Sequence, residues 1–292
     1  MIIVDLQQVM IATLMRQLGN TKNAQLDENM LRHMVLNVLR SYRVKFAGEM
    51  IIACDTKYSW RKKVFPYYKA KRAKNRDESP IDWKTVFQTF DVMRAELKEY
   101  FPYRVIEVDG AEADDIIGTL SHHFGSAADE FGGLLIGEQE RVLIMSGDHD
   151  FRQLLKYGNV EQFDPIQKKY IKCNHPDLYL KEHIIRGDVG DGVPNFLSDD
   201  DVFVTDKRQK SIMEKKFELW MKQDVATICD TDSKLRNWKR NEQLVDLTRT
   251  PQDIKDAILS QYESEAGKNR SKLTNYFISR KLKHLHEHIN EF

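Results

Sequence analysis

Four short apolar runs, at residues 2–4, 50–54, 104–108 and 141–145, each give way to acidic residues, and each is followed, directly or after a linker, by helical spacing. Strand then helix, repeated four times, specifies a parallel sheet with helices on both faces. In such sheets ligand sites lie beyond the carboxyl ends of the strands. Asp5, Asp55, the group Glu112, Asp114 and Asp115, and the pair Asp148 and Asp150 all stand at those ends. The third group lies in VDGAEADDIIG, residues 108–118, at the start of a helix expected to bury Ile116, Ile117, Leu120 and Phe124. Carboxylates so close repel one another unless a cation or solvent compensates. Glu112 and Asp115, three apart, can share a helix face, with Asp114 pointing elsewhere unless the turn begins there. Acidic first turns are also favoured by the helix dipole, so this stretch alone leaves both readings open. Its recurrence at every strand end favours a site.

The remaining elements follow from spacing. Leu31, Met34, Val35, Val38, Leu39, Tyr42 and Phe46 give an amphipathic helix over 28–46. Ser79, Pro80 and Asp82 open another, with Trp83, Val86, Phe87, Phe90, Met93 and Leu97 as its buried stripe and Pro102 as its stop. Residues 126–140 are glycine-rich and read as a loop or insertion. Residues 160–163 and 169–172 pair as a hairpin, and 176–185 read as a helix. The next turn carries glycines at 187, 190 and 192 and two further acids, Asp188 and Asp191. The rest is mainly helical. A soft boundary near residue 180 divides an α/β core, 1–180, from a helical C-terminal region, 181–292.

At 292 residues, 41% hydrophobic and 31% charged, the chain is that of a soluble globular protein with zero formal net charge. Charge is distributed unevenly. Residues 57–76 hold nine Lys or Arg and no acid, and residues 266–286 hold six and none. Within the first segment Tyr67, Tyr68, Lys69, Arg72 and Arg76 interleave rings with cations, which suits phosphate neutralisation and base stacking. Such a segment, lacking an apolar stripe, is expected to be poorly ordered over 59–75 without nucleic acid. Cys54, Cys173 and Cys229 are far apart, against a disulfide framework or zinc site and in keeping with a reducing compartment. No signal peptide or membrane segment is expected.

Many carboxylates without nearby Cys or His suit hard cations such as Mg²⁺ or Mn²⁺. Two such ions can activate water and stabilise a leaving oxygen in phosphodiester hydrolysis, with no protein nucleophile. No GxSxG, P-loop or GxGxxG is present. His149 reads as exposed or packed rather than catalytic, and His284, His286 and His288 as a solvated helix end. Asp109 reads as a turn residue. Trp60 is left open between core and platform.

The ordered set VDLQQ, CDTKYSWRKKVFPYYKAKR, DGAEADD, SGDHDF and RGDVGDGV resembles the flap endonuclease and 5′ nuclease superfamily, most closely members carried by T-even bacteriophages. The resemblance implies a PIN-like 5′ nuclease core with a basic arch or bridge at about 57–80 and a DNA-binding C-terminal region. It implies that Asp5, Asp55, Glu112, Asp114, Asp115, Asp148, Asp150, Asp188 and Asp191 hold two Mg²⁺ ions, with Mn²⁺ as substitute, and that Asp188 and Asp191 serve the second. Lys69 and Arg72 would contact the scissile phosphate beside Tyr68, with Arg76, Lys207 and Arg208 as further nucleic-acid contacts. The implied activity is 5′ to 3′ exonuclease, ribonuclease H and flap endonuclease action on RNA/DNA hybrids and on flapped or forked DNA, removing primers on the lagging strand. A monomer in the cytoplasm of a phage-infected bacterium is expected, with no membrane partner. A single-stranded DNA-binding protein and a sliding clamp are family-level partners. The chain departs at 194–201, where PNFLSDDD replaces a glycine-rich, potassium-binding duplex turn. Lys207, Arg208, Lys210, Lys215 and Lys216 are candidate substitutes. Two other readings exist. A non-catalytic DNA-binding scaffold would gain nothing from nine acids facing phosphate, and a Mg²⁺ phosphatase would want a second acid at residue 7, which is Gln7.

Overall fold

A computed structural model of the chain describes residues 1–19, 26–125, 140–205 and 207–292. The loop expected at 126–140 lies outside them except for Glu140. Six strands form one sheet: β1 (Ile2–Asp5), β2 (Met50–Ala53), β3 (Arg104–Ile106), β4 (Val142–Met145), β5 (Val160–Asp164) and β6 (Lys169–Ile171). Their order is β3-β2-β1-β4-β5-β6, parallel except for the β5–β6 hairpin. The first strand is thus central, pairing Ile2 with Met50 on one side and with Leu143 on the other.

Because side chains alternate along a strand, Ile2 and Val4 enter one core and Ile3 the opposite one. The first face is covered by α1 (Leu6–Leu18), α2 (Glu28–Lys45) and α5 (Trp83–Tyr100). The second is covered by α6 (Ala113–Phe124), with α3 (Trp60–Val64) contributing Trp60. After α4 (Ala70–Asp77) the chain reaches α5, which starts later than Ser79 would place it. Asp82 is its N-cap, accepting from Thr85 N–H.

A third core lies beyond the strand ends. It joins Phe65 and Tyr68 to Ile184 and Ile185 of α7 (Pro176–Arg186), Phe217 and Trp220 of α8 (Glu214–Lys222), and Trp238 and Leu244 of α10 (Asp232–Val245), the short α9 (Val225–Ile228) lying between the last two. The chain then returns to the sheet. α11 (Gln252–Ser264) packs on α6 in the second core, while α12 (Leu273–Ser279), α13 (Lys283–His286) and Phe292 complete the first.

The expectation of an unanchored segment at 59–75 is corrected here. Trp60, Arg61, Phe65 and Tyr68 are all buried. Their spacing of one, four and three residues would suit one helical face, but the structure divides it between a short helix, Trp60–Val64, and the turns that follow.

Candidate active site

The parallel strands end on acids that also start the following helices. Asp5 caps α1, its Oδ1 accepting from Gln8 N at 2.9 Å. Asp55 Oδ1 accepts from Ala113 N, the first residue of α6, at 2.7 Å. Asp148 Oδ1 accepts from Asp150 N at 3.0 Å, at the head of a 3₁₀ turn, His149–Lys156. Helix amides and their dipoles thereby offset part of the charge these groups bring.

Asp188 and Asp191 arrive from the far side on the glycine turn. Asp188 and Val193 bond reciprocally across it, and Asp191 N donates to Asp188 Oδ1 at 2.9 Å. Gly187, at φ +69°, leaves no room for a side chain, since a Cβ would stand 2.4 Å from Val193 O.

These elements enclose a cavity of about 250 Å³ lined by Asp5, Asp55, Asp114, Asp148, Asp150, Asp188 and Asp191, with Gln8, Lys69 and Arg72. Lys69 stands at its rim in a left-handed conformation, φ 55°, its N–H donating to Asp191 O at 2.7 Å. Its Nζ meets Glu112 Oε1 at 2.7 Å and Asp191 Oδ2 at 3.5 Å. Arg72 pairs with Asp191.

Glu112 and Asp115 do not line the cavity. They form a reciprocal capping box at the start of α6, and beneath it lies Arg61, buried between both carboxylates at 3.1 and 2.9 Å. Arg61 Nε also donates to Leu244 O at 2.9 Å, which ties α3, α6 and α10 together. Asp115 is wholly buried, accepting from Trp60 Nε1 at 3.1 Å and Thr250 Oγ1 at 2.8 Å. With every oxygen engaged in this way, the structure places Asp115 behind the site. Trp60 is therefore core.

Tyr68, expected beside the phosphate as a stacking ring, is buried, and its hydroxyl donates to Asp191 Oδ2 at 2.7 Å. Its ring is closed to a base. Arg76 lies away from the cavity over the Phe87 ring. Lys207 is exposed and pairs with Asp201 at 3.0 Å, and Arg208 is exposed. Neither reaches the site. In the acidic 194–201 stretch, Asp200 is paired with Arg236 at 2.7 Å and with Arg240. Asp109 and His149 are exposed.

The charges do not balance within the cavity. Burial, with Asp55 and Asp148 nearby, raises Asp5 to about 7. Asp150 is likewise raised to about 7, by burial and by Asp148, Asp188 and Asp191 against His183. Asp114 is pushed well above the usual carboxylate range, and Asp55 is raised, by burial first in both cases. Glu112 is the contrast. Burial works against its charge, but Lys69 and Arg61 hold it down to about 2. Seven lining carboxylates against two lining cations leave an all-oxygen donor set short of positive charge, which fits divalent hard cations.

One neighbour escaped the sequence reading. His183 of α7 stands between Asp150, at 3.5 Å, and Asp188, at 3.4 Å. A lone His on an amphipathic helix carries no metal-ligand spacing. Its place five residues before Asp188 was the available signal.

Two family models match. One, described as the 5′-3′ exonuclease N-terminal resolvase-like domain, covers residues 12–183. The other, the T4 RNase H C-terminal domain, covers 174–292. The chain is 31% identical to ribonuclease H of Enterobacteria phage T4 over 303 aligned positions, spanning 99% of this chain and 95% of that protein. It is 26% identical to a 5′-3′ exonuclease of Buchnera aphidicola over 54% of this chain and 51% of that protein. Among solved structures, the bacteriophage T5 flap endonuclease in a pseudo-enzyme–product complex with DNA and metal ions superposes with a TM-score of 0.61 at 18% identity, covering 91% of this chain and 98% of that one. The T5 5′-exonuclease with bound zinc gives 0.57 at 18% identity, over 91% and 99%.

Proposed function

The chain belongs to the 5′-3′ exonuclease family, and on that premise we propose a metal-dependent 5′ nuclease that cuts phosphodiesters of RNA/DNA hybrids and flapped duplexes and removes primers during lagging-strand replication. The observation that carries this reading is the convergence of seven carboxylates from five separate segments on one cavity rimmed by Lys69 and Arg72. The proposed residents are two Mg²⁺ ions, held by Asp5, Asp55, Asp114 and Asp148 on one side and by Asp150, Asp188 and Asp191 on the other. When bound, such ions supply the Lewis acidity that activates water and takes up charge on the leaving oxygen.

The chain's own residues do the rest. Lys69 and Arg72 leave their carboxylate partners in part to meet the scissile phosphate, and the αL backbone of Lys69 aims its side chain across the cavity. Glu112, kept ionised by Lys69 and Arg61, positions Lys69 from behind. Asp115 and Arg61 hold the first turn of α6 so that Asp114 projects into the cavity. Residues 181–292 contribute duplex contacts beyond the acids. The setting proposed is the cytoplasm of a phage-infected bacterium, alongside a single-stranded DNA-binding protein and a sliding clamp. Among the described residues, no helix is long and apolar enough to cross a membrane.

The test uses a 5′-labelled RNA/DNA hybrid and a 5′-flap duplex, with Mg²⁺ or EDTA, comparing the native chain with Asp114→Asn. Short 5′ products released by the native chain in Mg²⁺ alone are expected. Binding without cleavage under every divalent metal would leave a non-catalytic scaffold in its place.

A further inference from the structure

Beside the acidic cavity, and sharing Gln8, Asp148, Asp150 and Asp188 with it, opens a wider cleft of about 610 Å³. His183 forms part of its wall. Its side chain is 10% exposed, and Nδ1 has no hydrogen-bond partner among the described residues. A buried polar atom left in that state costs free energy unless something meets it. What Nδ1 faces is Asp150 Oδ1, 3.5 Å away. On the other edge of the ring, Nε2 lies 3.4 Å from Asp188 Oδ2. Donor atoms of the three residues all fall within 4.8 Å of one another.

Each ring nitrogen thus faces a carboxylate at a similar distance, Nδ1 without a hydrogen bond, and an imidazole oriented by an acid at one nitrogen can ligate through the other. The Nδ1 to Oδ1 separation is also one that two donors at roughly 2.1 Å from a common ion subtend. We propose that His183 Nδ1 joins Asp150 as a ligand of the second cation, making that position a mixed nitrogen and oxygen site that prefers Mn²⁺ to Mg²⁺. The proposal rests on the metal-dependent reading of the cavity. Magnesium favours oxygen alone, whereas imidazole suits first-row transition ions. The all-oxygen group of Asp5, Asp55, Asp114 and Asp148 keeps no such preference, so the two positions differ in kind.

Mn²⁺ titrated into the metal-free full-length protein, followed by pulsed electron paramagnetic resonance, reads coordination without reference to activity. The expected result is nitrogen modulation from a directly bound imidazole, lost in His183→Gln together with about a tenfold fall in Mn²⁺ affinity at that position. Mg²⁺ affinity should change far less. Mn²⁺ bound by the native chain without nitrogen modulation would overturn the role of His183 and leave the acidic site standing. No Mn²⁺ binding at all would overturn both. The measurement on the native chain stands even where the variant folds poorly.

Discussion

Arg61 shows how a charge at one position can be worth more than its neighbours. It is 1% exposed, inside a segment of nine cations and no acid, and its partners are Asp115, Glu112 and the carbonyl of Leu244. Arg61→Met leaves the buried Asp115 without a cation and takes one of two from Glu112, and should cost about 3–5 kcal/mol in urea denaturation, with part recovered by adding Asp115→Asn. An unchanged midpoint would mean that the network carries no stability. Asp114→Asn acts oppositely, since it removes a buried charge that neighbouring acids already disfavour. The metal-free protein should become more stable while losing cleavage, a combination that calorimetry and a nuclease assay together can read. The sequence separated these two adjacent acids only in part. Three-residue spacing put Glu112 with Asp115 and left Asp114 apart, as found, but spacing does not say which face meets the cavity. Arg61 was hidden because one buried cation among nine looks like a solvated run.

At the scale of elements, acids gathered at the strand ends make the stability of the metal-free protein depend on pH. Asp5 and Asp150 titrate near 7 when folded and near 3.8 when not. Between those values the folded state binds more protons, so their contribution falls as pH rises through that window. Glu112 runs the other way: its contribution is complete above 4.5 and is lost as pH drops toward 2. Mg²⁺ should therefore raise the melting temperature more at about pH 8 than at about pH 5.5, since the ion displaces protons from these groups. Equal shifts at both values would separate the acids from cation binding. The strands themselves were legible because buried parallel strands read as apolar runs, and their acidic ends needed only counting. The anchoring of residues 59–75 was not, because Arg61, Phe65 and Tyr68, although spaced four and three apart, stand among eight other cations and lie on a short helix and the turns after it rather than on one continuous helix. Anchored at its base, the arch leaves Lys71 and Arg72 exposed on α4. Trypsin should cut there first, more slowly when duplex DNA is present; equal rates would place DNA elsewhere.

Across the whole molecule, the last stretch of chain decides more than its sequence suggests. Phe292 is fully buried against Phe101 and Phe277, in the same core as α1, α2 and α5. Phe292→Ala should cost about 3–5 kcal/mol by chemical denaturation, while a value near zero would show the tail to be dispensable. Nothing in the helical pattern beyond residue 180 distinguished helices that build the third core from those that return to the sheet. That distinction depends on partners far away in sequence, which periodicity does not record. The sheet order has a bearing on how such an enzyme is made. Its first strand waits in the centre for a neighbour that begins at Val142, and the seven acids of the cavity are not all present until Asp191 has been translated. A growing chain therefore completes its sheet, at Ile171, before it can complete its acidic cavity.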